Sequence, residues 1–106
     1  MSTIIWGVVK ADGTILSGST GNGTGYNFNV VNQSAGTYQI QFNDDFEGMP
    51  AITGSQVLWG NLNQSPLDNV VFPYLNQNGA TAIVGGAGGD HTNRSFAFIA
   101  IGPDGR

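Results

Sequence analysis

The segment Asp90-His91-Thr92-Asn93-Arg94 places a carboxylate, an imidazole, a hydroxyl, an amide and a guanidinium side by side in a chain otherwise poor in charge. Those groups donate and accept hydrogen bonds in both directions, which suits a neutral, hydroxyl-rich ligand such as a sugar. Trp59 or Tyr74 supplies the aromatic ring that would stack on an apolar sugar face. The competing structural reading makes Asp90 and Arg94 a surface ion pair, leaves His91 simply exposed, and has Trp59 plug one end of the fold.

Other chemistries fit less well. The chain has a single His and no Cys, so a catalytic triad would have to use His91 without a G-x-S-x-G elbow or the strand–turn–helix that builds one. Zinc normally takes several His or Cys ligands. Asp44-Asp45-Phe46-Glu47 could offer oxygens to calcium, but the spacing is not that of an EF-hand loop and reads as a solvated acidic turn. Gly85-Gly86-Ala87-Gly88-Gly89 lacks the Lys-Ser/Thr of a phosphate-binding loop, and Gly21–Gly25 does not open a helix after a parallel strand. We therefore expect no enzyme activity, no metal and no organic cofactor.

The elements that must position these loops follow from composition. The chain has 106 residues, a formal net charge of −4 and only 9% charged residues, with 17 glycines and abundant Asn, Gln, Ser and Thr. Length predicts one domain over 1–106. Such a composition cannot sustain long amphipathic helices, and six Phe, three Tyr and two Trp set it apart from a disordered chain. Three basic residues cannot neutralise a phosphate backbone, so nucleic acid is not an expected partner. No basic N-terminal region precedes an apolar run, and no apolar stretch is long enough for a membrane helix. A soluble protein without membrane insertion is the expectation.

Alternation of period two in Tyr26-Asn27-Phe28-Asn29-Val30 and Tyr38-Gln39-Ile40-Gln41-Phe42-Asn43 predicts half-buried antiparallel strands with the aromatic and aliphatic positions inward. Asn32–Gly36 connects them as a hairpin or corner. Asp12-Gly13 and Asn78-Gly79 predict type I′ hairpin turns between Ile4–Val9 and Thr14–Leu16 and between Val70–Leu75 and Ala80–Val84. With Ala51–Trp59 and Ser95–Ile101 the count reaches about eight short strands, the number of a jelly-roll sandwich. Ile4–Val9 and Phe96–Ile101 are apolar on both faces, which predicts burial on both. Pairing these strands and covering their outer face with neighbouring subunits predicts a homotrimer. The alternative is that loops such as 60–67 fold over that face.

The run Gly7-Val8-Val9-Lys10-Ala11-Asp12-Gly13-Thr14-Ile15-Leu16-Ser17-Gly18, with Gly36-Thr37-Tyr38-Gln39-Ile40-Gln41-Phe42, Phe46 and Pro50, resembles trimeric jelly-roll head modules of the complement and tumour-necrosis-factor type, similar to heads of bacterial surface proteins and phage tail fibres. The part from Ile40-Gln41-Phe42 through Phe46-Glu47-Gly48-Met49-Pro50 to Phe98-Ile99-Ala100-Ile101-Gly102 is similar to the H-type lectin pattern. That likeness implies sugar binding at subunit boundaries near the loop before the last strand, where Asp90, His91 and Arg94 lie. The aromatic residue of that pattern is replaced by His91. The expected function is thus a non-enzymatic homotrimeric module that binds a glycan or cell-surface receptor through its loops; the compartment stays open, an extracellular or virion-associated setting as part of a larger protein included. The alternative is a structural trimerisation or fibre-head module without a small ligand.

Overall fold

The computed structural model describes residues 2–21, 25–43 and 46–104. Eight strands run in chain order: β1 (Ser2–Val9), β2 (Ile15–Gly18), β3 (Phe28–Ser34), β4 (Thr37–Phe42), β5 (Ala51–Gln56), β6 (Asn69–Asn76), β7 (Gly79–Gly85) and β8 (Phe96–Pro103). They form two four-stranded sheets, β2-β1-β8-β5 and β3-β4-β7-β6, with every pairing antiparallel. The first and last strands pair along their whole length, from Ser2 opposite Pro103 to Val9 opposite Phe96, as their shared apolar character predicts.

Alternation decides which side chains meet between the sheets. Ile5, Val9, Phe96, Phe98 and Ala100 from one sheet face Phe28, Tyr38, Ile40, Phe42, Val70, Ala80, Ala82 and Val84 from the other, and all are buried. The Phe28 ring meets Phe98 edge-on at 5.3 Å across the two layers, and Tyr38 meets Phe96 at 5.0 Å. Burial of each such ring contributes about 1.5–3 kcal/mol. The β-sandwich expected from the sequence is therefore present. Three details differ. Tyr26 lies before β3 and is exposed, because its neighbour Asn27 takes the buried place. The fifth strand stops at Gln56 instead of running to Trp59.

The third difference is in the hairpins. No non-glycine residue among those described has positive φ, so neither Asp12 nor Asn78 adopts the first position of a type I′ turn. At the β1–β2 turn Gly13 N donates to Lys10 O at 2.8 Å, and only Gly13 (φ 93°) turns left-handed before Lys10 N meets Thr14 O. This is a type I turn closed by a glycine bulge, with the Asp12 carboxylate accepting from Thr14 N at 2.9 Å. At the β6–β7 turn the Asn76 side chain accepts from both Asn78 N and Gly79 N and replaces the left-handed turn by an Asx turn.

The outer faces of the two sheets differ in chemistry. All three basic and seven acidic residues fall outside the eight strands, so no strand presents a charged side chain on either face. On β2-β1-β8-β5 the outward rows are Ile4–Ile101–Ala51, Trp6–Ile99–Thr53 and Val8–Ala97–Ser55. Ile4, Trp6, Ile99 and Ile101 are exposed, so no other part of the chain among the described residues covers this face. The loop alternative is thereby corrected: Leu62 and Leu67 of residues 60–67 are themselves exposed and do not lie against it. On β3-β4-β7-β6 the outward rows are mainly amides and hydroxyls, Asn29–Gln41 and Val31–Gln39–Thr81–Tyr74 among them.

Tyr38 joins the core to one end of the sandwich. Its ring is buried and its hydroxyl donates to Ala11 O at 2.7 Å. Burial, the largest influence, raises the phenol above its ordinary value, since the phenolate would lose its hydration. A folded-state value above the unfolded one means that this contribution is intact below about pH 10 and is lost as pH rises through the folded value. Tyr38→Phe should lower stability by about 1 kcal/mol at neutral pH, because Ala11 O loses its donor. The same variant should flatten the alkaline fall. Urea titrations from neutral pH into the alkaline range check both, and an unchanged alkaline slope would remove Tyr38 from this role.

Candidate functional site

One end of the sandwich collects the β1–β2 turn, the β3–β4 turn at Ala35-Gly36, loop 57–68 and loop 86–95. The contacts that draw them together are Ala11 N to Ser95 Oγ (3.1 Å), Gly36 N to Asn93 Oδ1 (2.7 Å) and Arg94 Nη1 to Gln64 Oε1 (2.9 Å). Asp90, His91, Asn93, Arg94 and Trp59 therefore lie on this end, whereas Tyr74 stands on β6 opposite Thr81, toward the other end; the four residues of loop 86–95 divide into two groups by what they touch.

Asn93 and Arg94 are bound into the framework. Asn93 exchanges reciprocal amide hydrogen bonds with Asn32, at 3.2 and 3.1 Å, while its oxygen also takes the Gly36 N–H. Arg94 Nη1 reaches Asp68 Oδ2 at 3.2 Å, Gln64 Oε1 at 2.9 Å and Gln56 Oε1 at 3.4 Å. The expected Asp90–Arg94 surface ion pair is thus corrected to an Arg94–Asp68 pair. Its carboxylate side chain is only 8% exposed and its guanidinium 23%. Gln56 extends the network by donating to Asn69 O (2.8 Å) and Gly85 O (2.6 Å). None of Gln56, Gln64 and Asp68 announces this role in the sequence, because each is a polar residue far from Arg94 along the chain.

Asp90 and His91 are exposed and face a pocket of about 220 Å³, with Val71 and Ile83 from the amide-rich sheet and Gly86 and Gly89 from the loop. Two backbone features shape it. Gly85 pairs with His91, and a Cβ at Gly85 would stand 1.7 Å from Asp90 O, so only glycine lets the chain fold back this tightly. Gly89, with φ 89°, closes the turn by donating to Gly86 O at 3.0 Å. The Asp90 carboxylate accepts a short hydrogen bond from Thr92 Oγ1. That bond is the main reason its pKa lies below the usual carboxylate range, with smaller help from backbone N–H groups and Arg94. The pocket therefore offers an ionised acceptor, an imidazole and a hydrophobic floor.

Trp59 is exposed on loop 57–68 and does not line this pocket. Its expected role as a plug for the sandwich end is corrected by the same exposure. A larger groove of about 510 Å³ lies on the opposite, apolar face, lined by Trp6, Val8, Thr53, Ser55, Ala97 and Ile99 among others. Among the described residues, no group of three or more His, Asp or Glu side chains could hold a metal ion. Asp44 and Asp45 of the acidic turn lie outside the described residues. Also among those residues, no helix is long and apolar enough to cross a membrane. No protein-family model, curated protein or solved structure matches the chain.

Proposed function

We propose that this chain is a non-enzymatic, self-associating β-sandwich of the jelly-roll head type, a homotrimer that binds a neutral glycan at the pocket between Asp90 and His91. The observation that carries it is the division of labour between the two outer faces. Each copy has a net charge of −4 and repels the next. The exposed rows around Trp6 and Ile99 combine apolar character with freedom from charge, so copies meet there without placing like charges together. Closed cyclic symmetry buries that face on every subunit. The pocket then faces outward on the other sheet, and three copies per assembly raise a weak affinity through multivalency.

A structural fibre-head role is the second reading, favoured by the commitment of Asn93 and Arg94 to internal hydrogen bonds. Light scattering after gel filtration should give the mass of a trimer, and a glycan array should give selective binding that Asp90→Ala removes without moving the melting temperature. A stable monomer at micromolar concentration would overturn the assembly. A trimer silent across the array would favour the structural reading.

A further inference from the structure

The pocket is open at one side onto the amide-rich sheet, since Val71 and Ile83 belong to both. From there the outward rows step along β6, β7 and β4. The row next to the pocket holds Thr37, Ile83 and Val71, and the following row holds Val31, Gln39, Thr81 and Tyr74. Neighbouring strands lie about 4.8 Å apart, so this second row alone spans ~14 Å, longer than one sugar ring.

Three features of the second row prepare it for a ligand. Gln39 is held at both ends of its amide, donating to Gln33 Oε1 at 2.8 Å and accepting from Thr81 Oγ1 at 2.8 Å. An amide has two N–H donors and two acceptor sites, so one of each stays available on a side chain already fixed in direction. Tyr74 stands 56% exposed at the end of the row, its hydroxyl accepting from Asn76 Nδ2 at 2.6 Å, which fixes the ring and leaves its face open. No charged residue lies on any of these strands, so beyond the Asp90 pocket an ionic group would be desolvated without a counter-charge, whereas a polyhydroxylated neutral one finds matching donors and acceptors.

We infer that the ligand is an extended neutral oligosaccharide lying across the outer face of β4, β7 and β6, with one sugar in the Asp90–His91 pocket and the next against Gln39, Thr81 and Tyr74. This rests on the glycan reading above and fixes the class of glycan within it: a chain of several uncharged sugars, with Tyr74 and not Trp59 as the stacking ring.

The test is calorimetric titration of the intact protein with size series of cello-, xylo- and manno-oligosaccharides, from monosaccharide to hexasaccharide. Affinity in at least one series should climb with length up to three or four sugars and then level off. Tyr74→Ala should weaken the longer ligands about tenfold and Gln39→Ala about fivefold, while Tyr74→Phe, which keeps the ring but gives up the Asn76 hydrogen bond that fixes it, should weaken them less than Tyr74→Ala. Trp59→Ala should change nothing. All three positions are exposed, and an unchanged melting temperature confirms that each variant is folded. Equal affinity for mono- and hexasaccharide, or full binding by Tyr74→Ala and Gln39→Ala, overturns the extended site while leaving the pocket in place if Asp90→Ala still abolishes binding. No binding by any member of the three series overturns both.

Discussion

Phe98→Asp should leave the chain unfolded, whereas the same substitution one residue later, Ile99→Asp, should leave a folded and soluble monomer. The two positions are neighbours on β8 and equally apolar, yet the pleat sends them to opposite sides. Phe98 is 3% exposed between the sheets, in edge contact with Phe28, and a carboxylate there would be stranded in the core. Loss of the ring by itself removes about 3–5 kcal/mol, and the buried charge adds several more, which together reach the whole stability of an ordinary domain. Ile99 is 43% exposed in a single chain, opposite Trp6 and Thr53, so an aspartate there stays hydrated in the monomer. In the proposed trimer it would bring three carboxylates to one apolar interface. Circular dichroism should show a β spectrum for Ile99→Asp and none for Phe98→Asp, and light scattering should give Ile99→Asp the mass of one chain. A trimer that tolerates Ile99→Asp would mean that the subunits meet elsewhere.

The contrast at β8 shows what kind of information the sequence carries. Phe96–Ile101 is apolar without interruption, so periodicity announces two hydrophobic faces without saying which is the core. The answer needs the partner sheet, and the pairing of Phe98 with Phe28 settles it. Where one face is polar, as in Tyr38-Gln39-Ile40-Gln41-Phe42, alternation alone places every side chain correctly. The loops behave differently. Density of polar groups singles out Asp90 through Arg94, but density does not separate side chains facing solvent from those consumed by the framework. Asn93 and Arg94 spend their hydrogen bonds on Asn32, Gly36, Gln64 and Asp68, partners that only the three-dimensional arrangement supplies. Asp90, though it accepts from Thr92, and His91 stay exposed at the pocket. Val71 and Ile83, which form its floor, read in sequence as ordinary strand residues, and nothing local distinguishes them.

That division makes Arg94 a structural residue, and its removal should be felt in stability before binding. In Arg94→Ala the Asp68 carboxylate, 8% exposed, loses its cation, and Gln64 and Gln56 lose the donor they share. Breaking one side of a buried pair typically costs about 3–5 kcal/mol, and the part-exposure of the guanidinium brings the expectation nearer ~2 kcal/mol, or a fall of about 10 °C in melting temperature for a chain of this size. Asp90→Ala should shift it by less than about 2 °C, since that carboxylate is exposed and its loss leaves no buried group without a partner. Asp68→Asn placed in the Arg94→Ala background should recover part of the loss by removing the unpaired charge. Arg94→Lys should recover part of the loss, because all three oxygens gather at the single nitrogen Nη1 and an ammonium carries three N–H donors to meet them. Thermal denaturation of the four variants decides the matter: an Arg94→Ala protein as stable as the parent would return this arginine to the surface and to the list of groups free to meet a ligand.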